Sequence, residues 1–158
     1  AGPLREPPAR LAAVDAVVVH RADAAGTADF SCSAAVPHVT MTLAGRIFRN
    51  LLNPACTVGA EHFIGQRLHA VAGIGEPQRF FRHLTRLGLA FTAHSFPDHH
   101  AYQPVDLGFS DCDAIVMTEK DAVKCAEFCS ERCWMLPVDA EVDPRLGDIL
   151  LHKLRKRA

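Results

Sequence analysis

The stretch SFPDHHAY, Ser95 to Tyr102, places an aspartate, two adjacent histidines and a tyrosine directly after an apolar run. An aspartate beside a histidine can fix its tautomer and raise its basicity, which suits proton transfer near neutral pH. Two histidines in one loop can also converge on a metal, or simply lie wet on the surface. Four readings are therefore open at this point: a two-metal phosphoesterase, a kinase proton relay, a structural zinc site and a plain polar loop. Two other stretches carry residues of similar potential. MTEKDAVK (Met117–Lys124) sets Lys120 near the start of a predicted helix. Glu119 and Asp121 flank it, so it is either an unusual phosphate site or part of a capped helix with a solvated face. AVAGIGEP (Ala70–Pro77) has Gly73-x-Gly75 but no third glycine at dinucleotide spacing, and a tight turn followed by proline at a helix start explains it equally well.

The elements around these stretches follow a rhythm. VDAVVVH (Val14–His20) reads as a short buried strand. HVTMTLAG (His38–Gly45) alternates Val39, Met41 and Leu43 with Thr40 and Thr42, so it reads as a half-buried strand. RIFRNLLNP (Arg46–Pro54) is ambiguous. Beyond it, RLHAVAGIGEPQRFFRHLTRLGL (Arg67–Leu89) reads as a strand, a glycine-bearing turn and an amphipathic helix with Phe80, Phe81, Leu84 and Leu87 at helical spacing. Gly88 stands where a glycine would end that helix. AFTAHSF (Ala90–Phe96) is the next strand, followed by the histidine loop. Asp113–Cys129 reads as a strand and then a helix that Thr118 can cap, with Asp121 three residues on as a capping-box variant. CWMLPV is a last strand and PRLGDILLHKLRKR a last helix. Strands alternating with helices at these distances predict an α/β fold: a mostly parallel sheet in an α/β/α layered arrangement. Ligands bind such sheets at the carboxyl ends of the strands, where GIGEP, FPDHH and MTEKD would gather.

Bulk composition narrows the classes. The 158 residues are 49% hydrophobic and 22% charged with a net charge of -1, enough apolar material for a real core and too little basic excess for a general nucleic-acid binder. No run approaches a membrane-spanning length of about 18 apolar residues. The six cysteines lack zinc-finger spacing and are too sparse for a disulfide scaffold, so they read as reduced thiols. Cys125, Cys129 and Cys133 recur every four residues and predict one helical stripe packed in the core. No G-x-x-x-x-G-K-[ST] occurs in these residues, and the chain starts at Ala1 with a proline-rich stretch, as a piece cut from a longer protein would.

Taken in order, GPLREP (Gly2–Pro7), VDAVVVH, HAVAGIGEPQRFF (His69–Phe81), FPDHHAY (Phe96–Tyr102) and MTEKDAVKC (Met117–Cys125) resemble the second half of the tetraacyldisaccharide 4'-kinases of lipid A biosynthesis in Gram-negative bacteria. The resemblance covers nearly the whole chain and is weakest at 21–37 and in the final helix. It implies a P-loop kinase that uses ATP and Mg²⁺ to phosphorylate the 4'-hydroxyl of a tetraacyldisaccharide 1-phosphate lipid at the cytoplasmic face of the bacterial inner membrane. It also implies two α/β/α domains, of which this chain is the C-terminal one. Residues 1–13 would then be a leading segment carrying part of the active site and 14–158 the C-terminal α/β domain, with the last helix free to pack on an absent N-terminal domain. That domain would supply the P-loop, most of the ATP and Mg²⁺ contacts and a catalytic aspartate, and the fragment alone would be inactive.

Carried over residue by residue, the resemblance makes His99 the partner of that absent aspartate, with Asp98 orienting it or shaping the loop. Arg5 and Lys120 would face phosphate, and Glu6 the metal. Nothing is carried over to His100. Phosphoryl transfer needs positioning, charge neutralisation and a group that orients the attacking hydroxyl, and these residue types suit those tasks. From spacing alone, Arg5 and Glu6 would be a surface ion pair. Lys153, Arg155, Lys156 and Arg157 on the last helix read as a solvated end, with anionic lipid headgroups as a second possibility. The expected partners are the lipid substrate and the membrane surface, with no nucleic acid and no obligate protein partner.

Two rivals stand beside this reading. One is a DHH-type metal-dependent phosphoesterase, named for the triplet Asp98-His99-His100. Such enzymes place a D-x-D before that triplet, whereas Asp111-Cys112-Asp113 follows it here. The other is a non-catalytic lipid- or sugar-binding α/β module.

Overall fold

A computed structural model of the chain describes residues 6–20 and 36–157. In chain order the strands are β1 (Val17–His20), β2 (His38–Ala44), β3 (Phe48–Asn50), β4 (Thr57–Val58), β5 (Leu68–Ala72), β6 (Thr92–Ser95), β7 (Ala114–Thr118), β8 (Cys133–Leu136) and β9 (Asp139–Val142). The helices are α1 (Pro77–Arg86), α2 (Glu119–Cys125) and α3 (Arg145–Arg157), with short 3-10 helices at Pro8–Ala13, Ala60–Phe63 and Pro104–Leu107. The chain divides into two units, one built from residues 1–44 and 139–158 and the other from 45–138.

The 45–138 unit is organised by a six-stranded sheet in the order β4-β3-β8-β7-β5-β6. β8, β7, β5 and β6 run parallel, because helical crossovers return each strand to the same end. Side chains alternate between its faces, and two core clusters result. Leu68, Ala70, Ala72, Ala114, Val116, Trp134 and Leu136 pack under Phe80, Phe81 and Leu84 of α1. Val71, Ile115, Met117 and Cys133 on the opposite face pack under Ala122 and Cys125 of α2. One helix therefore covers each face, the layered arrangement expected for buried parallel strands. α1 ends as its sequence predicts: Gly88 adopts φ +81, and its N–H reaches the Thr85 carbonyl while that of Leu89 reaches Leu84. This double closure satisfies the last carbonyls and buries Leu89 against Leu84.

Two expectations about this unit need correction. The sheet is mixed, since β3 pairs antiparallel with both β4 and β8. The ambiguous RIFRNLLNP turns out to be half of a short hairpin, and hairpin neighbours are antiparallel by necessity. The cysteine stripe does not lie on one helix: α2 stops at Cys125, and Cys133 is on β8. Cys125 and Cys133 are nonetheless buried in one cluster, with Cys129 packed against it. Burial pushes the Cys125 thiol up to about 12, the behaviour of a small core hydrophobe rather than a nucleophile.

The 1–44/139–158 unit contains a three-stranded sheet in the order β1-β2-β9, with β1 parallel and β9 antiparallel to β2. β1 is half-exposed rather than buried, being an edge strand among the described residues; Val18 is 42% exposed. Val39 of β2 is buried while Leu43 is exposed, so only part of the predicted alternation points inward. On α3, Leu146 and Ile149 are half-buried, whereas Leu150, Leu151 and Leu154 face outward.

Candidate functional site at the carboxyl edge

The carboxyl ends of β5, β6 and β7 bring three loops together. The first, after β5, runs through Gly73 and Gly75 into α1. A side chain at Gly73 is excluded: a Cβ there would lie 2.7 Å from the Tyr102 hydroxyl and 3.2 Å from Asp121 Oδ1. Close approach of Tyr102 and Asp121 is enough to account for the glycine.

The second loop follows β6 and carries Asp98, His99 and His100. The two histidines diverge. His100 stacks on Phe96 and hydrogen-bonds Asp106 at 3.0 Å, so it holds the loop shut. His99 is the one non-glycine residue among those described with positive φ, at +63. That conformation costs about 1–3 kcal/mol and is sustained by its surroundings. Its backbone N–H donates to Asp98 Oδ1 at 3.0 Å, while its side chain is 80% exposed, with Nε2 3.7 Å from Asp98 Oδ2. Asp98 therefore lies beside the imidazole without hydrogen-bonding it, and the ring stays free to meet another partner.

The third loop leads from β7 into α2. Lys120 Nζ donates to Asp98 Oδ1 at 2.8 Å and ties the second and third loops together. That hydrogen bond, against a smaller opposing push from burial, holds the Asp98 carboxyl below its usual range. Thr118 caps α2 as predicted, its Oγ1 accepting from the Asp121 N–H. The other half of the capping box is redirected. The Asp121 carboxylate turns inward, is wholly buried, and accepts from Gly73 N at 3.0 Å and Thr118 Oγ1 at 2.6 Å. Lys124 Nζ stands 3.3 Å from its other oxygen. Tyr102 closes the cluster. It is buried, its hydroxyl has no hydrogen-bond partner, and burial followed by the Asp121 charge raises its phenol well above the ordinary value. Sequence reasoning gave Asp121 only a capping role. Its partner Gly73 is 48 residues away, and no local pattern announces that contact.

Of the candidate residues, Asp98, His99 and Lys120 thus converge. Arg5 lies outside the described residues. Glu6 belongs to the other unit, where it is exposed and pairs with Arg10 at 3.2 Å. Among the described residues no three His, Cys, Asp or Glu side chains cluster as a metal shell. Asp111 and Asp113 are both engaged by Arg67, at the amino end of β7 and away from Asp98.

Residues 1–155 match the family model described as tetraacyldisaccharide-1-P 4'-kinase. The chain belongs to this family. It is 44% identical over 156 residues to the tetraacyldisaccharide 4'-kinase of Methylobacillus flagellatus, covering 99% of this chain and 44% of that protein. To the kinase of the same name from Aromatoleum aromaticum it is 46% identical over 154 residues, covering 98% and 45%. The chain spans less than half the length of these relatives. Its fold is similar to that of LpxK from Aquifex aeolicus, crystallised in an "apo" form in complex with ATP, with a TM-score of 0.66 at 21% identity over 94% of this chain and 45% of that one. Membership of the kinase family removes the phosphoesterase reading of the Asp-His-His triplet. The structure agrees on physical grounds, since the two histidines point to different partners and the later aspartate pair is engaged elsewhere.

Proposed function

We propose that this chain is the C-terminal portion of a lipid A 4'-kinase and that the carboxyl edge of its six-stranded sheet is half of the active site. The observation that carries the proposal is His99: an exposed imidazole, held at positive φ, at the junction of three loops in a member of this family. ATP bound with Mg²⁺ supplies the phosphoryl group and neutralises its charge. Nucleotide and metal binding fall mainly to the part of the protein outside this chain.

The chain's own residues then have these tasks. His99 pairs with an aspartate outside this chain, and the pair orients and deprotonates the 4'-hydroxyl of the tetraacyldisaccharide 1-phosphate. Asp98 shapes the turn through the His99 backbone and holds Lys120. Lys120 presents its ammonium to phosphate oxygens when an anion competes with Asp98. Arg5 provides a planar cation for phosphate, and Glu6 an oxygen for the metal or its water. The substrate lipid places the protein peripherally at the cytoplasmic face of the inner membrane, with the exposed leucines and basic residues of α3 as one lipid-facing element.

The test is phosphorylation of the tetraacyldisaccharide 1-phosphate by the intact gene product with ATP and Mg²⁺, followed as 4'-phosphate formation. Turnover by the intact protein and none by residues 1–158 alone is the expected result. Absence of turnover in the folded intact protein overturns the proposal.

A further inference from the structure

Asp121 is the one charged residue among those described that is buried, with an exposure of 0%. A carboxylate taken from water is unfavourable unless donors surround it, and here they come from separate segments. The Gly73 amide belongs to the loop after β5, the Thr118 hydroxyl to the end of β7, and the Lys124 ammonium to the next turn of α2. Tyr102, from the segment after the histidine loop, is pressed against the same group, its hydroxyl unpartnered and Lys124 lying 5.5 Å over its ring. Gly73 leaves no room for any of these groups to retreat, since even a methyl there would strike both Tyr102 and Asp121. Lys120 precedes Asp121 directly, so the position of the helix start decides where the Lys120 ammonium falls. It falls on Asp98.

We propose that Asp121 is a positioning residue, a buried latch that locks the β5–α1 loop to the start of α2 and thereby sets Lys120 against Asp98 beside His99. Asp121 touches no reacting atom. It acts by fixing the start of α2, which carries Lys120 and through it holds Asp98. The effect on turnover rests on the kinase reading above, whereas the effect on the Lys120–Asp98 pair does not.

The two effects are separable by experiment. In the intact protein, the Asp98 carboxyl is titrated by carbon NMR, assigned by its loss in Asp98→Asn, for wild type and Asp121→Ala. The sign of the shift discriminates. Deleting a nearby negative charge without moving Lys120 lowers the Asp98 pKa, because one repulsion is gone. Releasing Lys120 raises it towards the ordinary carboxylate value. The latch predicts a rise, together with a fall in kcat of about 10- to 100-fold at little changed KM, the scale of a misplacement of about 1 Å. If Asp121→Ala does not fold, Asp121→Asn keeps one acceptor oxygen and gives a smaller rise in the same direction. A folded variant in which the Asp98 titration falls or stays, with kcat unchanged, overturns the latch. If wild type shows no kinase turnover while the Asp98 titration still rises, the latch stands and the kinase reading falls.

Discussion

At the amino end of the six-stranded sheet, Arg67 is clamped by Asp113 and Asp111, and Asp113 also accepts the Arg67 backbone N–H at 2.9 Å. Beside it His69 and His94 share a 2.9 Å hydrogen bond, His69 reaches the Asp111 carbonyl, and both rings pack on Phe109. At the carboxyl end of the same strands, the inventory is similar and the outcome different. His99 is exposed at positive φ with no hydrogen bond to its ring, and Tyr102 keeps a buried hydroxyl without a partner. Both ends bring histidine, aspartate and a cation together. One end ties its charged groups and histidines to one another, as a structural network should. The other leaves strain and unused hydrogen-bonding capacity, the condition in which a site can still do work on something else.

The largest expected difference between the two ends is in turnover. His99→Ala in the intact kinase should lower kcat by about 10²–10⁴, the general acid–base scale, without loss of fold. His99→Gly sharpens the comparison. It should be equally inactive yet at least as stable as wild type, because glycine adopts φ +63 without the penalty that histidine bears. Denaturant midpoints measured beside kcat decide this. If His99→Gly is clearly destabilised, the imidazole is a structural group like those at the amino end.

How much of this was legible beforehand depends on range. Local signals worked: Gly88 closes α1, Thr118 caps α2, and the three loops fall at the carboxyl edge that strand–helix alternation predicts. Signals that need a partner failed. The β3–β4 hairpin has strands of three and two residues, too short for periodicity to register. β1 looked buried because its valines are apolar, but an edge position with one neighbour among the described residues leaves it half-exposed. The four-residue cysteine spacing matched a helix by coincidence, since the chain must turn after Cys125 to place Trp134 in the sheet. Asp121 looked like an ordinary capping residue, and the divergence of the two adjacent histidines is set by Asp106 and Phe96, which no spacing rule selects.

A second contrast concerns space. Gly73→Ala at the carboxyl edge should destabilise the protein by about 1–3 kcal/mol, the usual scale for overpacking, because the Tyr102 ring and the buried Asp121 have nowhere to move. A substitution at Gly65, whose would-be Cβ meets nothing within 4 Å, isolates the alternative cause. There the cost is only that of a side chain at φ +80. Equal losses of stability at the two glycines would mean that backbone strain, rather than crowding of the latch, governs both.

The smaller effects belong to the closed end and appear as pH dependence. Burial first, and then the charge of His69, lower the His94 pKa below its ordinary 6.5. The unfolded chain therefore binds a proton at His94 at a higher pH than the folded chain does. Folding stability falls as pH drops through about 6.5 and levels once folded His94 also protonates, with a slope of at most about one proton. His94→Gln should flatten that part of the urea-midpoint profile while leaving kinase turnover near wild type. The Arg67 clamp gives the opposite window. Its hydrogen bond holds the Asp113 carboxyl far below the usual 3.8. The contribution of the pair is fully present above that ordinary value and is lost progressively as pH falls from there through the depressed one. Arg67→Met should therefore lower stability by a constant amount from neutral pH down to about 4, and the two profiles should converge in stronger acid. The gap itself should be modest and should narrow in high salt, because Arg67 and Asp111 are both more than half exposed and water screens the pair. If Arg67→Met instead abolished turnover while leaving the acid profile unchanged, the clamp would be part of the active machinery, and the distinction between a closed and an open end of the sheet would not hold.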